Sequence, residues 1–246
     1  MNITVYLGAN EGNDPALRKA VEELGTWIGT SGNSLIYGGS KSGLMGAIAD
    51  SVLSAGGEVT GVEPQFFIEN EFQHDGLTKL IVTKDMSERK NKMIEMGDVF
   101  IAFPGGTGTL EEIAEVMSKV SLKHLDAPCI LYNLNGFYND LKALLNHMIE
   151  MGLSSKKRQE GIYFAENLEQ IIFCAKQADK TRQKNKQKQR TSVANTKALK
   201  QDRLDMAFFY KKSGGTVPSD FPQHYYYITQ EADWSIHTKR KGKVRI

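Results

Sequence analysis

Three short apolar runs in this chain each break off at glycine, and they limit its fold more tightly than any other feature. They are Ile3–Gly8 (ITVYLG), Ser34–Gly39 (SLIYGG) and Asp98–Phe103, which passes through Pro104 into Gly105-Gly106. β-Branched and aromatic residues in runs of this length favour strands, and the glycines end them. A helical pattern follows each run. Asp14-Pro15 offers an N-cap and a proline at the first helical position for a helix through about Ile28. Leu44, Ile48 and Val52 fall on one face of a helix over Gly43–Ala55. Further strands are expected at Glu58–Val62, Leu77–Val82, Pro128–Tyr132 and Gly161–Ala165. Further helices are expected at Ser87–Met96, Gly108–Leu122, Tyr138–Met151 and Asn167–Gln177. Strands alternating with helices of this length specify an α/β fold, a parallel sheet covered by helices on both faces. The near-continuous apolar character of Val99–Phe103 fits a strand buried on both sides. In such sheets ligands bind beyond the carboxyl ends of the strands, at the switch in strand order. Gly8, Gly38-Gly39 and Gly105-Gly106 are therefore expected to converge on one crevice.

The alternation stops near residue 175, and the charge changes sign there. Residues 1–175 hold 14 Lys and Arg against 23 Asp and Glu, whereas residues 176–246 hold 17 against 6. The division expected is a nucleotide-binding domain over 1–178, a basic linker or helix extension over 179–190, and a basic, aromatic C-terminal extension over 191–246. Lys180–Arg190 (KTRQKNKQKQR) has no apolar residue and reads as solvated. The extension interleaves basic residues with Phe208-Phe209, Tyr225–Tyr227 and Trp234. Such a segment suits nucleic acid by phosphate neutralisation and stacking. The preferred expectation is that it packs on its own acidic domain or on a dimer mate, since the opposite charges already supply a partner.

The chain has 40% hydrophobic and 24% charged residues, the ordinary balance of a soluble globular protein. Its start, MNITVYLGAN, lacks the basic flank and apolar core of a signal peptide. No apolar run approaches the ~20 residues that span a bilayer. Cys129 and Cys174 lie in apolar runs and are expected as reduced, buried thiols. A cytoplasmic location with no membrane partner follows.

Glycines between a buried strand and a helix let backbone N–H groups approach an anion at the helix N-terminus. Gly105, Gly106, Thr107, Gly108 and Thr109 have this arrangement, with two hydroxyls as additional donors. A dinucleotide fingerprint would need a third glycine where Glu111 stands. A Walker loop would need lysine where Leu44 follows Gly38–Gly43 (GGSKSG). Neither nicotinamide chemistry nor nucleoside triphosphate hydrolysis is favoured. Glu111 and Glu112 stand in the next helical turn, where acids commonly just offset the helix dipole. Adjacent helical residues point about 100° apart, so only one of the two can face the crevice squarely. Arg89-Lys90, in MSERKNKM, reads in isolation as a solvated helix face. The alternative is a fixed cation beside a phosphate or a reacting sugar, because this helix leads directly into the strand that ends at the glycine loop.

The segments YGGSKSGLMGAIA, EFQHDGL, MSERKNKM and GDVFIAFPGGTGTLEE, in this order and spacing, resemble the LOG family. These are the cytokinin riboside 5′-monophosphate phosphoribohydrolases, whose bacterial members have often been labelled lysine decarboxylases. The likeness covers about residues 1–175. It implies a Rossmann-like sheet, a homodimer, and hydrolysis of the N-glycosidic bond of purine nucleoside 5′-monophosphates to free base and ribose 5-phosphate. It implies neither metal nor cofactor, and nothing in the chain suggests a pyridoxal-binding lysine. The family's two catalytic residues fall on Arg89 and Glu112. Its phosphate loop falls on Gly105–Thr109, with Gly39, Ser40 and Gly43 lining the same pocket. Met86, Lys90 and Glu111 complete the expected substrate-binding set. The family usually has a third glycine where this chain has Ser40; a Cβ there either narrows the approach of backbone to ligand or adds a hydroxyl donor. A non-catalytic carrier of nucleotide-bearing cofactors is the competing function. His74 either edges the base pocket or is an ordinary loop residue, and His124 and His147 lack metal-ligand partners at useful spacing.

Overall fold

The structure, a computed structural model, describes residues 1–69, 72–177, 180, 196 and 197. The expected linker and C-terminal extension lie outside the described residues, apart from 180, 196 and 197. Seven strands form one sheet: β1 (Asn2–Tyr6), β2 (Ser34–Tyr37), β3 (Glu58–Pro64), β4 (Lys79–Thr83), β5 (Val99–Ala102), β6 (Cys129–Tyr132) and β7 (Ile162–Ala165). Their order is β4-β3-β2-β1-β5-β6-β7, and every described pair is parallel. The helices are α1 (Pro15–Thr30), α2 (Gly43–Ser54), α3 (Gln65–Ile68), α4 (Met86–Met96), α5 (Thr107–Ser121), α6 (Asn139–Glu150) and α7 over 168–177. The expected strands and helices all form, with ends shifted by a residue or two. The four-residue α3 after Pro64 was not marked by any periodicity.

Side-chain alternation in the strands divides the core in two. Ile3, Val5, Leu35, Tyr37, Ile101 and Phe103 pack with Val21, Leu24 and Ile28 of α1, Ile48 and Val52 of α2, and Ile171 of α7. Tyr6, Ile36, Phe100 and Ala102 point the other way, onto Met93 of α4 and Ile113, Val116 and Val120 of α5. The sheet is thus doubly wound, and its central strands are buried on both faces, which is why they read as continuous apolar runs. Gly25 and Gly29 bring α1 close to α2, where a Cβ at either would meet a Cβ of Ser51 or Ala55 at 2.7 Å. α1 starts as its sequence specifies, Asp14 accepting a hydrogen bond from Ala16 N at 2.9 Å ahead of Pro15. Cys129 and Cys174 are free; Cys129 is buried in β6, whereas Cys174 is only partly covered. No described helix is long and apolar enough to cross a membrane.

The order β2-β1-β5 sets the ends of three glycine-terminated strands side by side, and the direction of winding reverses between β1 and β5. Chain contacts draw these ends together. Gly43, at the start of α2, has φ +52° and lies against the carbonyl of Ala9, in the loop after β1. Any Cβ at Gly43 would collide with that backbone oxygen, and the left-handed conformation is itself unfavourable for other residues. Gly43→Ala is expected to cost at least about 2 kcal/mol, read as a lowered midpoint in urea unfolding.

Candidate active site

The first turn of α5 has no side-chain cap: Gly106 is its N-cap residue and contributes only backbone. The first N–H groups of a helix have no partner within it, and the dipole concentrates partial positive charge there. Gly106 and Gly108 face open space, since a Cβ on either would meet nothing within 4 Å. Gly105 is different, because a Cβ there would run into the side chain of Thr109, which is itself buried. Gly105–Thr109 therefore forms an open, donor-rich platform at the end of β5, with Thr109 bracing it from beneath.

α4 delivers the cation. Asp85 caps it by accepting from Glu88 N at 2.8 Å, and Glu88 accepts in return from Lys84 N at 2.9 Å. These bonds fix the first turn and so aim Arg89, whose side chain is 8% exposed. Its Nε donates to the carbonyl of Val62 at the end of β3, at 2.9 Å, and its Nη1 donates to Glu112 Oε1 at 2.6 Å. Gly38 leaves room for the guanidinium: a Cβ there would collide with Arg89 Nη2 and with Met45. Glu112, on α5, is equally buried, with 8% of its side chain exposed. Burial pushes its carboxyl above the usual carboxylate range, and the charge and hydrogen bond of Arg89 oppose that rise.

The neighbouring charged residues behave differently. Lys90 pairs with Glu111 and, at 3.4 Å, with Glu115, so it links α4 to α5 on their outer side. Glu111, expected in the substrate-binding set, is exposed, pairs with Lys90 and makes no cap hydrogen bond to α5; only its separation from Glu112 follows from helix geometry. Met86 opens α4 and is partly exposed.

The loop after β2 forms the opposite wall. Gly39 has φ +96° and its carbonyl accepts from His74 N at 2.9 Å. Ser40 bridges Gln73, and its carbonyl accepts from the Tyr37 hydroxyl at 3.2 Å. The Ser40 hydroxyl accepts from Ser42 N at 3.2 Å, so it turns back on its own loop. His74 is held at both ring nitrogens. Nδ1 accepts from Gly76 N at 3.0 Å, which leaves Nε2 to carry the proton toward Asp50 Oδ1 at 2.9 Å. His74 thereby braces the loop.

Two groups escaped the motifs. Tyr6, at the end of β1, has a buried hydroxyl with no partner, and its pKa is raised first by burial and then by the charge of Glu112. Glu63, at the end of β3, is 1% exposed and has an unpartnered Oε2. A signal for Glu63 did exist. Residues 59, 61 and 63 share one face of β3, and that face is apolar at Val59 and Gly61. An acid continuing such a face is buried.

The sequence profile of the family described as "Possible lysine decarboxylase" matches residues 45–173. A cytokinin riboside 5′-monophosphate phosphoribohydrolase of Rhodococcoides fascians is 38% identical over 172 residues, covering 70% of this chain and 87% of its own length. One from Arabidopsis thaliana is 35% identical over 170 residues, covering 69% and 80%. Among solved structures, the molybdenum cofactor binding protein of Rippkaea orientalis superposes with a TM-score of 0.54 at 27% identity, covering 72% of this chain and 95% of that one. The molybdenum cofactor carrier protein of Chlamydomonas reinhardtii gives a TM-score of 0.56 at 24% identity, covering 72% and 96%, and bears on the fold alone.

The inner and outer ion pairs should respond differently to mutation. Arg89→Ala leaves Glu112 buried without its counter-charge and is expected to cost about 3–5 kcal/mol. Lys90→Ala removes a partly exposed pair and is expected to cost no more than about 1 kcal/mol. Urea unfolding of both variants at neutral pH checks the contrast.

Proposed function

Because the chain belongs to the LOG family, the cytokinin riboside 5′-monophosphate phosphoribohydrolases, we propose that it hydrolyses the N-glycosidic bond of purine nucleoside 5′-monophosphates to free base and ribose 5-phosphate. The observation that carries this reading is the buried Arg89–Glu112 pair, held across the strand ends beside an uncapped glycine helix start. Breaking a ribose–base bond passes through an oxocarbenium-like state, which a carboxylate near C1′ stabilises. Glu112 takes that role, through the ribose hydroxyls or by orienting the attacking water. Arg89 cannot give up a proton at neutral pH, so it serves as the fixed charge that holds Glu112 and the substrate in place. Gly105–Thr109 takes the 5′-phosphate. Binding energy remote from the reacting bond then orients C1′ over the carboxylate. Gly39, Ser40 and Gly43 bound the crevice on the other side, and Met86 lies at its rim. The Lys90–Glu111 pair stiffens the helix junction and keeps the charges beside the phosphate platform balanced.

The competing reading is non-catalytic carriage of a nucleotide-bearing cofactor. It takes support from the likeness to the molybdenum cofactor binding protein. The relatives at 38% and 35% identity are named as phosphoribohydrolases, so the hydrolase is preferred. A homodimer in the cytoplasm accompanies this proposal. α6 buries no residue, and Leu144, Met151 and Leu153 in and after it are exposed, which favours a second copy covering them. Sedimentation at the mass of two chains is the expected result.

Incubation with AMP, with adenine read by chromatography, tests the activity itself. The wild-type protein should release adenine, and Glu112→Ala should lower kcat at least about 10²-fold. Undiminished turnover by that variant would remove Glu112 from the chemistry, and tight AMP binding with no base released would favour the carrier.

A further inference from the structure

Glu63 is a second buried carboxyl group at the same edge of the sheet, and the scheme above does not use it. Its Oε2 has no hydrogen-bond partner although the residue is 1% exposed. Buried polar atoms are nearly always bonded, so an orphan at the ligand edge points to a partner from outside the chain. The side chain lies against Gly39, where a Cβ would meet Glu63 Cγ at 2.7 Å and Cδ at 2.9 Å. The Glu63 side chain therefore fills the space that a side chain at Gly39 would take and lies directly against the loop expected to line the pocket.

The layout of the strand ends also places this group. Neighbouring strands lie ~4.8 Å apart, so the three steps from β5 through β1 and β2 to β3 span on the order of 14 Å. That is comparable with the extended length of a nucleoside monophosphate. With the phosphate on the β5 loop and the ribose at Arg89–Glu112, the base extends toward β3. Arg89 is bonded to Val62, the residue before Glu63, which ties the two ends of this path together.

We propose that Glu63 is the general acid of the reaction, donating its proton to a ring nitrogen of the purine as the glycosidic bond breaks. The proposal rests on the phosphoribohydrolase reading. A bond forms between the water oxygen and C1′, and the C1′–N9 bond breaks, its electron pair passing into the purine. The Glu63 proton goes to the ring nitrogen, so the base leaves neutral. The proton lost by the attacking water passes to Glu112, and exchange with solvent restores both carboxyls.

The surroundings keep Glu63 able to serve. Burial pushes its carboxyl up to about 7, against the pull of the Arg89 charge from α4. β2 presents Tyr37, whose own hydroxyl is raised by burial and then by Glu63. β4 presents Thr83, whose hydroxyl donates to the Glu63 carbonyl at 3.4 Å. His74, in the segment bridged to Ser40, is engaged by Asp50 and Gly76. The donor form is the protonated one, so the activity it supports is present below that pKa and is lost as pH rises through it.

The experiment compares wild type with Glu63→Gln, which keeps the shape and removes the acid. AMP affinity by calorimetry should stay within about threefold, while kcat falls about 10²–10⁴-fold. The alkaline fall in wild-type kcat/KM, expected above about pH 7, should vanish in the variant. With 7-methylguanosine 5′-monophosphate, whose ring already bears the positive charge, the two proteins should release base at similar rates. Equal kcat on AMP, an unchanged alkaline limb, or equal losses of binding and turnover on both substrates would overturn the assignment. If the wild type releases no base from any 5′-monophosphate, the hydrolase reading itself fails. An active wild type matched by Glu63→Gln fails the general acid alone.

Discussion

One guanidinium organises the site. Arg89 cannot shed its charge, and removing a charge from water is expensive unless hydrogen bonds and a counter-charge replace the solvent. The chain meets that demand from three directions: the Val62 carbonyl on β3, the Glu112 carboxylate on α5, and a glycine at position 38 that leaves the space empty. Each demand constrains a different element. The end of β3 must reach the right level, α5 must carry its acid on the inward turn, and the loop after β2 must begin without a side chain. Ordering the loops and packing the pair are therefore the same requirement.

The wholly parallel sheet makes that arrangement available. Parallel strands place all their carboxyl ends at one edge, and the reversal between β1 and β5 separates the flanking helices there. α4 and α5 lie together on one face, so an arginine from one meets a glutamate from the other over the strand ends. Lys90 with Glu111 and Glu115 links the same two helices on the outside. Exposed pairs of that kind contribute little. The geometry is set by the inner pair, where water is excluded and a change of one partner strands the other.

Most of the fold was legible because its signals are local and repeated. Runs ending at Gly8, Gly39 and Gly106, with an Asp-Pro helix start and helical apolar spacing, specify strand and helix without reference to distant contacts. The site was legible only in part. Arg89 and Glu112 stand in recognisable stretches, but their meeting over 23 residues of sequence is a product of tertiary packing. The separation of Glu111 from Glu112 followed from helix geometry. Glu63 and Tyr6 were missed for a physical reason: their character comes from unmet hydrogen bonds in a dry environment, and a linear pattern records residue type rather than solvation. The alternation along β3 held the remaining clue, since it puts Glu63 on the face of Val59. The thiol of Cys174 was expected to be buried and is only partly so, because α7 lies at the margin of the core.

The inward turn of the Ser40 hydroxyl gives the crevice a direction. Two helix N-termini, those of α2 and α5, flank it, and each could in principle hold an anion. At α2 the N-cap residue Ser42 already donates its N–H to Ser40 Oγ. Neither helix has a side-chain cap, but at α5 no hydrogen bond among the described residues takes the N–H of the N-cap residue Gly106. The two ends are therefore unequal before any ligand arrives, and the weaker one is the end beside the Gly39 loop and Glu63. The partial positive charge at this edge of the sheet is therefore weighted toward the α5 side by the chain's own hydrogen bonds.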